Sequence, residues 1–354
     1  MIPSSISIPR EEQFEIDGKT YKDTGKKFPE SAFGDIFLVY DDTTDQYYIL
    51  KRAKKSQTDE NIKMLKNEYK SLLRIRDCPN IIKVKGYKDK MILLEYAKGG
   101  DLVDYINSNI YRGTKIKIET FDILFTQLLE AINCFHESGV YNLDIKPDNI
   151  VFLDEEQTKL AIIDFGYAVI KPKDENDDIC RESVGTTNYM APEILFQKDK
   201  FACSKADVYS FGKVLELLLG VTEKPKKADK ESKESEESKE SEESKESEYY
   251  EFMKKLITKM IDTDPEKRIS LTDLIKYRGT FFGYDYTNSY GQFKSKKSLK
   301  KYKTKKTTKK TTNKTNKSKQ KSIKSKKSKK SKKSKKRSIN KSKTNNTNKT
   351  NNYR

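Results

Sequence analysis

Between residues 139 and 152 the chain reads GVYNLDIKPDNIVF, with Asp144, Lys146, Asp148 and Asn149 closed between two apolar runs. Carboxylates can accept protons, and carboxylates together with amides supply the oxygen ligands that hard cations take. A polar surface turn after a helix would use the same residue types. The stretch alone therefore leaves two readings, a turn and a catalytic loop. Fifteen residues beyond Asn149 is Asp164, in IIDFGYA, followed by Phe165 and Gly166. GTTNYMAPE follows at residues 185–193, and upstream YYILK carries Lys51 and a later polar segment carries Glu68.

These residues need elements to hold them. DIFLVYDD, YYILKR and KMILLEY are short, aromatic-rich and aliphatic-rich runs separated by polar turns, which predicts strands. DENIKMLKNEYKSLLRI places Ile62, Leu65, Tyr69, Leu72 and Leu73 at helical spacings, with Glu68 among them. TFDILFTQLLEAINCFHES predicts a long amphipathic helix that stops near Gly139, and DVYSFGKVLELLLG and EFMKKLITKMI predict two more. A sheet-rich part, residues 20–95, thus precedes a helix-rich part, residues 96–283. The expected fold class is α+β.

The ordered set of motifs resembles the eukaryotic-type protein kinase superfamily, specifically the Ser/Thr protein kinases, over roughly residues 20–283. The resemblance implies a bilobal fold with a small antiparallel-sheet lobe and a helical lobe. It implies ATP and Mg²⁺ as cofactors and a protein hydroxyl as acceptor. Phosphoryl transfer needs reactants positioned and phosphate charge neutralised. By resemblance Lys51 holds the phosphates and Glu68 orients Lys51, Asp164 and Asn149 hold Mg²⁺, Asp144 accepts the hydroxyl proton, and Lys146 sits against the γ-phosphate. Gly34, Ile36, Ile49, Glu95, Ala97 and Asp101 complete the expected nucleotide site, with Leu94 as gatekeeper. Thr186 is expected beside Asp144. Asp207 is expected to accept backbone N–H bonds from the catalytic loop, and Arg268 to pair with Glu193.

The chain departs from the family pattern at four places. Pro29 and Ser31 stand at two positions of the glycine-rich loop, leaving only Gly34. Proline has no N–H and a fixed φ, so looser ATP binding is expected. Ile49 stands where a strand alanine faces adenine, which narrows the pocket. Asn142 replaces a histidine whose ring stacks beneath Phe165. Leu143 replaces the arginine that receives an activation-loop phosphate, so phosphorylation at Ser183 is expected to matter little. These departures motivate an alternative of another class, a pseudokinase or scaffold that binds nucleotide weakly and is recruited by its tail.

Composition sets the remaining bounds. The 354 residues carry a net charge of +19. From Lys294 onward there are 28 Lys and Arg and no acid, and subtracting them from +19 leaves −9 for residues 1–293. A mildly acidic body with a Lys-rich, disordered basic tail over residues 284–354 predicts an interaction tail, whose partner would be a polyanion, either nucleic acid or anionic membrane. Residues 223–248, with serine every third residue from Ser232 to Ser247, offer almost nothing apolar and predict solvated disorder. Residues 1–19 read as an N-terminal extension. Cys78, Cys134, Cys180 and Cys203 are scattered without a CxxC pair, which predicts reduced thiols in a reducing compartment and no disulfide framework. His136 is the single histidine. Lacking ligand partners, it is expected on a packed helix rather than in a metal site. The N-terminus lacks the pattern of a signal peptide, and no run is long and apolar enough to span a membrane. A monomer inside the cell, cytoplasmic or nuclear, is the expectation.

Overall fold

A computed structural model describes residues 12–28, 34–53, 59–172, 178–181, 184–224 and 237–282. All of them belong to one compact unit, residues 1–293. The fold is α+β and bilobal. Pro29, Ser31, Glu182, Ser183, residues 225–236 and the whole basic tail lie outside the described residues.

The first lobe is a six-stranded antiparallel sheet. Its strands are β1 (Gln13–Ile16), β2 (Lys19–Lys27), β3 (Asp35–Asp41), β4 (Gln46–Arg52), β5 (Val84–Lys88) and β6 (Met91–Glu95), in the order β1-β2-β3-β4-β6-β5. Helix α1 (Asp59–Arg74) crosses between β4 and β5. Its acids Asp59 and Glu60 stand in the first turn and Arg74 in the last, which suits the helix dipole. Leu65 and Leu72 are buried on its inner face.

Strand β1 lies within residues 1–19, which the sequence reads as an N-terminal extension. Phe14 pairs with Tyr21 and Ile16 with Lys19. Asp17 and Gly18 make the two-residue turn at φ 51° and 77°, as a tight hairpin requires. Phe14, Ile16, Tyr21, Val39, Leu50 and Leu93 form a separate small core on this sheet.

The second lobe contains α2 (Leu102–Tyr111), α3 (Ile118–Glu137), α4 (Pro192–Leu195), α5 (Cys203–Gly220), α6 (Glu237–Met260) and α7 (Leu271–Phe282). Between α3 and α4 run β7 (Val140–Tyr141), β8 (Ile150–Phe152), β9 (Leu160–Ile162), β10 (Val169–Ile170) and β11 (Ile179–Cys180), and β12 (Phe201–Ala202) precedes α5. Helix α3 buries Phe121, Phe125, Leu128, Leu129, Ile132 and Phe135 on one side, as its periodicity predicts. Helix α5 is buried on nearly every side, including Asp207 and Ser210, so it forms the centre of the lobe. Helix α6 begins at Glu237 and runs unbroken into the apolar end of the element, where Tyr249, Tyr250, Met253 and Leu256 are buried. The described end of the low-complexity segment is therefore helical rather than disordered. A helix nucleated by packing at its far end extends through good helix formers at low cost.

The four cysteines form two disulfides, Cys78–Cys134 and Cys180–Cys203. This corrects the expectation of reduced thiols. The partners are 56 and 23 residues apart in sequence, so the folded topology, not local spacing, brings them together.

Candidate active site

The catalytic-loop segment lies between β7 and β8 and is pinned from below by α5. Asp207 of α5 accepts from the backbone N–H of Asn142 at 2.9 Å and of Leu143 at 2.8 Å. His136 of α3 shares the same carboxylate, with Nε2 2.8 Å from Oδ2. His136 thus has a structural partner on a packed helix. Asn142 turns its amide inward, donating to the Asp164 carbonyl at 3.0 Å and accepting from the Asp144 N–H at 3.0 Å. One side chain therefore ties the loop of Asp144 to the loop of Asp164.

Asp144 is the hub of the site. Thr186 Oγ1 donates to Asp144 Oδ1 at 2.7 Å. Lys146 Nζ lies 2.9 Å from Asp144 Oδ2 and donates to Thr186 Oγ1 at 2.7 Å. Asn149 Nδ2 donates to the Asp144 carbonyl and to Oδ2 at 2.9 and 3.0 Å. With both amide protons of Asn149 used within the loop, its Oδ1 is the acceptor left to offer a cation. The Ile163 N–H bonds the Asn149 carbonyl at 2.9 Å, so Asn149 stands beside the turn that presents Asp164. Asp148 is exposed.

Across the cleft, Lys51 at the end of β4 is buried and donates to Glu68 of α1 at 2.7 Å. Lys51 Nζ is 3.8 Å from Asp164 Oδ2. Burial works against the Lys51 charge, but Asp164 and Glu68 outweigh it and raise its pKa. Burial pushes the Glu68 carboxyl up to about 7, against the attraction of Lys51. Its Oε2 has no hydrogen-bond partner among the described residues. Asn67, next to Glu68, donates to the carbonyls of Gly166 and Ala168 at 3.0 and 2.7 Å. Helix α1 therefore holds the segment after Asp164 as well as Lys51. No sequence pattern singled out Asn67.

The remaining expected nucleotide residues lie on β3, β4, β6 and the connection into α2. Ile36 pairs with Lys51 across β3–β4, and Ile49 stands opposite Leu94 across β4–β6. Glu95 ends β6, with Ala97 in the following connection. Asp101 caps α2, accepting from the Asp104 N–H at 2.8 Å, and burial raises its pKa. Gly34, at φ 152°, has a packing duty: a Cβ there would stand 2.1 Å from the Arg52 carbonyl oxygen. Only glycine allows β3 to start so close to β4.

A buried ion pair joins α4 to the segment before α7. Arg268 donates to both carboxylate oxygens of Glu193 at 2.6 and 2.9 Å, with side chains 0% and 1% exposed. Phe165 meets a ring from α3: Phe135 packs edge-on against it, centroids 5.7 Å apart. Leu143 is buried in an apolar cluster with Cys180, Ala191, Ile194, Phe201, Cys203 and Ala206.

The chain matches the family model of the protein kinase domain over residues 24–278. It belongs to the protein kinase family. Among its relatives are the CBL-interacting protein kinase 11 of Oryza sativa subsp. japonica, 30% identical over 256 residues that cover 70% of this chain and 49% of the relative. The calcium-dependent protein kinase 1 of Arabidopsis thaliana is 30% identical over 272 residues, 71% of this chain and 41% of the relative. The ovarian-specific serine/threonine-protein kinase Lok of Drosophila melanogaster is 28% identical over 290 residues, 77% of this chain and 58% of the relative. The chain spans about half the length of these curated relatives. The match places the kinase domain across both lobes, from within β2 into α7. Strand β1 lies outside the matched kinase domain and yet is built into its sheet.

Proposed function

We propose that the chain is an active protein serine/threonine kinase that transfers the γ-phosphate of ATP to a Ser or Thr hydroxyl of a protein. The observation that carries this reading is the arrangement around Asp144, whose two oxygens are held by Thr186, Lys146 and Asn149. A carboxylate so fixed can orient a hydroxyl and accept its proton. Lys146 supplies positive charge beside it, where charge on the transferred phosphoryl group would gather.

The oxygen donors Asp164 and Asn149, joined through the Ile163–Asn149 bond, fit the hard ligand set that Mg²⁺ takes. When bound, Mg²⁺ would neutralise phosphate charge there. Lys51, fixed by Glu68 and close to Asp164, is placed to hold ATP phosphates. Ile36, Ile49, Glu95, Ala97 and Asp101 would frame the base and ribose, and Gly34 would lie at the phosphate end. Substrates would be proteins, and the chain would act inside the cell as a monomer.

The test is ATP turnover by the full chain with Mg²⁺ and a casein-like or basic acceptor, followed by phosphoamino-acid analysis. Asp144→Asn should lower turnover by at least about 10²-fold, the scale for losing a positioned base, while nucleotide binding stays. Phosphoserine or phosphothreonine should be formed. Equal turnover in both proteins would overturn the reading, and nucleotide binding without turnover would leave the scaffold alternative.

A further inference from the structure

The cluster around Leu143 contains the second disulfide, and its placement bears on how the activation segment is held. Leu143 is 3% exposed at φ 61°, packed against Cys180 and Cys203. An apolar side chain cannot donate to a phosphate, so this spot offers no charge-assisted anchor for the segment that follows Asp164. The segment is tied to α5 by other means. Strand β11 pairs with β12 in a two-residue ladder, Ile179 with Ala202 and Cys180 with Phe201. Cys203 N–H donates to the Asp178 carbonyl at 2.7 Å, and Ser204 at the start of α5 bonds the Asp178 carboxylate through its N–H at 3.2 Å and its hydroxyl. Cys180–Cys203 makes that junction covalent.

The 23-residue loop that this bond closes contains Gly185, Thr186 and Glu193. Gly185 packs directly under the catalytic loop: at φ 121°, a Cβ there would stand 2.5 Å from the Leu143 carbonyl oxygen. Thr186 is the residue that holds Asp144 Oδ1, and Glu193 is the partner of Arg268. Fixing residue 180 against residue 203 limits the conformations open to everything between them, at both ends of the site. Two ladder pairs alone would not hold so short a strand, because neighbouring hydrogen bonds exchange with water at little net cost.

We infer that Cys180–Cys203 is a thiol–disulfide exchange site whose oxidised form orders the activation segment and whose reduction releases it. Its reactant is a dithiol reductant. One thiolate of the reductant attacks a sulfur of the pair, and the other cysteine leaves as a thiolate and takes a proton. The second reductant thiolate then resolves the mixed disulfide. Two electrons and two protons pass to the protein, and the reductant becomes a disulfide. Cys180 and Cys203 are 3% and 0% exposed, so attack requires β11 to leave β12 first. Reduction therefore proceeds through local opening, and breaking the bond removes the tie that lets the segment close again. Cys78–Cys134 joins the turn after α1 to α3, outside the loop that Cys180–Cys203 closes, and is not part of the device.

The inference rests on the kinase reading for its effect on turnover, and a second readout keeps the two apart. The full chain, oxidised or treated with dithiothreitol, is probed for trypsin cleavage at Arg181 and for peptide phosphorylation, with the disulfides mapped by mass spectrometry. Reduction should speed cleavage at Arg181 and lower kcat tenfold or more, and reoxidation should reverse both. The double variant Cys180→Ser, Cys203→Ser should be cleaved rapidly in either condition. The double variant Cys78→Ser, Cys134→Ser should keep the full redox response. If the first double variant does not fold, stepping the wild type through a dithiothreitol series should show both responses following loss of the 180–203 bond. Cleavage and kcat indifferent to that bond, or a response lost only with Cys78 and Cys134, would overturn the inference. Redox-dependent cleavage in a chain without any turnover would uphold the exchange site and sink the kinase reading.

Discussion

Glu68 shows how far a single residue's environment sets its chemistry. It is fully buried, it pairs with Lys51 at 2.7 Å, and burial pushes its carboxyl up to about 7. Only the ionised carboxylate attracts the Lys51 ammonium, so the pair that orients Lys51 is complete above that pH and weakens as pH falls through it. We expect kcat/KM for ATP to drop on the acid side of about pH 7 through this group. Glu68→Gln cannot ionise, so it should be slow but flat across that limb. A pH profile that keeps the same acid limb in Glu68→Gln would assign the limb elsewhere. At this scale most of the candidate site was legible in the sequence, because Lys51, Asp144, Lys146, Asn149 and Asp164 each belong to a short motif in a fixed order and Glu68 stands in a periodic helix. Asn67, Phe135 and His136 were not assigned their partners. Each acts by reaching a residue 30 or more positions away, and nothing local marks such a contact. Asn142, standing in place of a histidine, donates instead to the Asp164 carbonyl, and Phe165 packs edge-on against Phe135.

Elements were legible where one period dominated. Helices α1, α3 and α5 follow from apolar residues at helical spacing, and β3, β4 and β6 from short apolar runs between turns. Strand β1 was missed although its signal was present: Phe14 and Ile16 alternate, and Asp17-Gly18 is a hairpin dipeptide. The start of α6 was missed for a different reason, since a charged segment has no apolar stripe and its helix is set by packing farther along. Strand β1 also supports Lys51 at one remove. Phe14 lies 5.1 Å from Phe37, and the Arg52 guanidinium stands over both rings at 5.3 and 4.7 Å while bonding Glu12. Lys88 of β5 reaches Glu15 at 3.1 Å, so β1 also binds the far edge of the sheet. Phe14→Ala should cost about 3 kcal/mol of unfolding free energy, the lower end for a buried phenylalanine, read from a denaturant titration. A loss below about 1 kcal/mol would mean that β1 decorates the sheet without supporting it.

At the scale of the whole molecule the charge is divided. Residues 1–293 carry −9 and residues 294–354 carry 28 cations without an acid. The tail holds only two aromatic residues, Tyr302 and Tyr353, so stacking on bases is sparse and attraction to phosphate is the interaction its composition supports. The site residues Lys51, Asp144 and Asp164 all lie in the acidic part, far from the tail along the chain. Removal of residues 294–354 should therefore leave kcat on a small peptide within about twofold, well under 1 kcal/mol of barrier, and abolish binding to duplex DNA and to anionic vesicles. For the full chain, the logarithm of affinity for duplex DNA should fall linearly with the logarithm of salt concentration, because displaced counterions drive the association. If six to ten phosphates are engaged, the loss between 50 and 200 mM salt should be about 10³–10⁵-fold. Affinity that ignores salt would point to a folded, sequence-reading contact instead. A fall in kcat on truncation would show that the tail acts on the catalytic body rather than on its location.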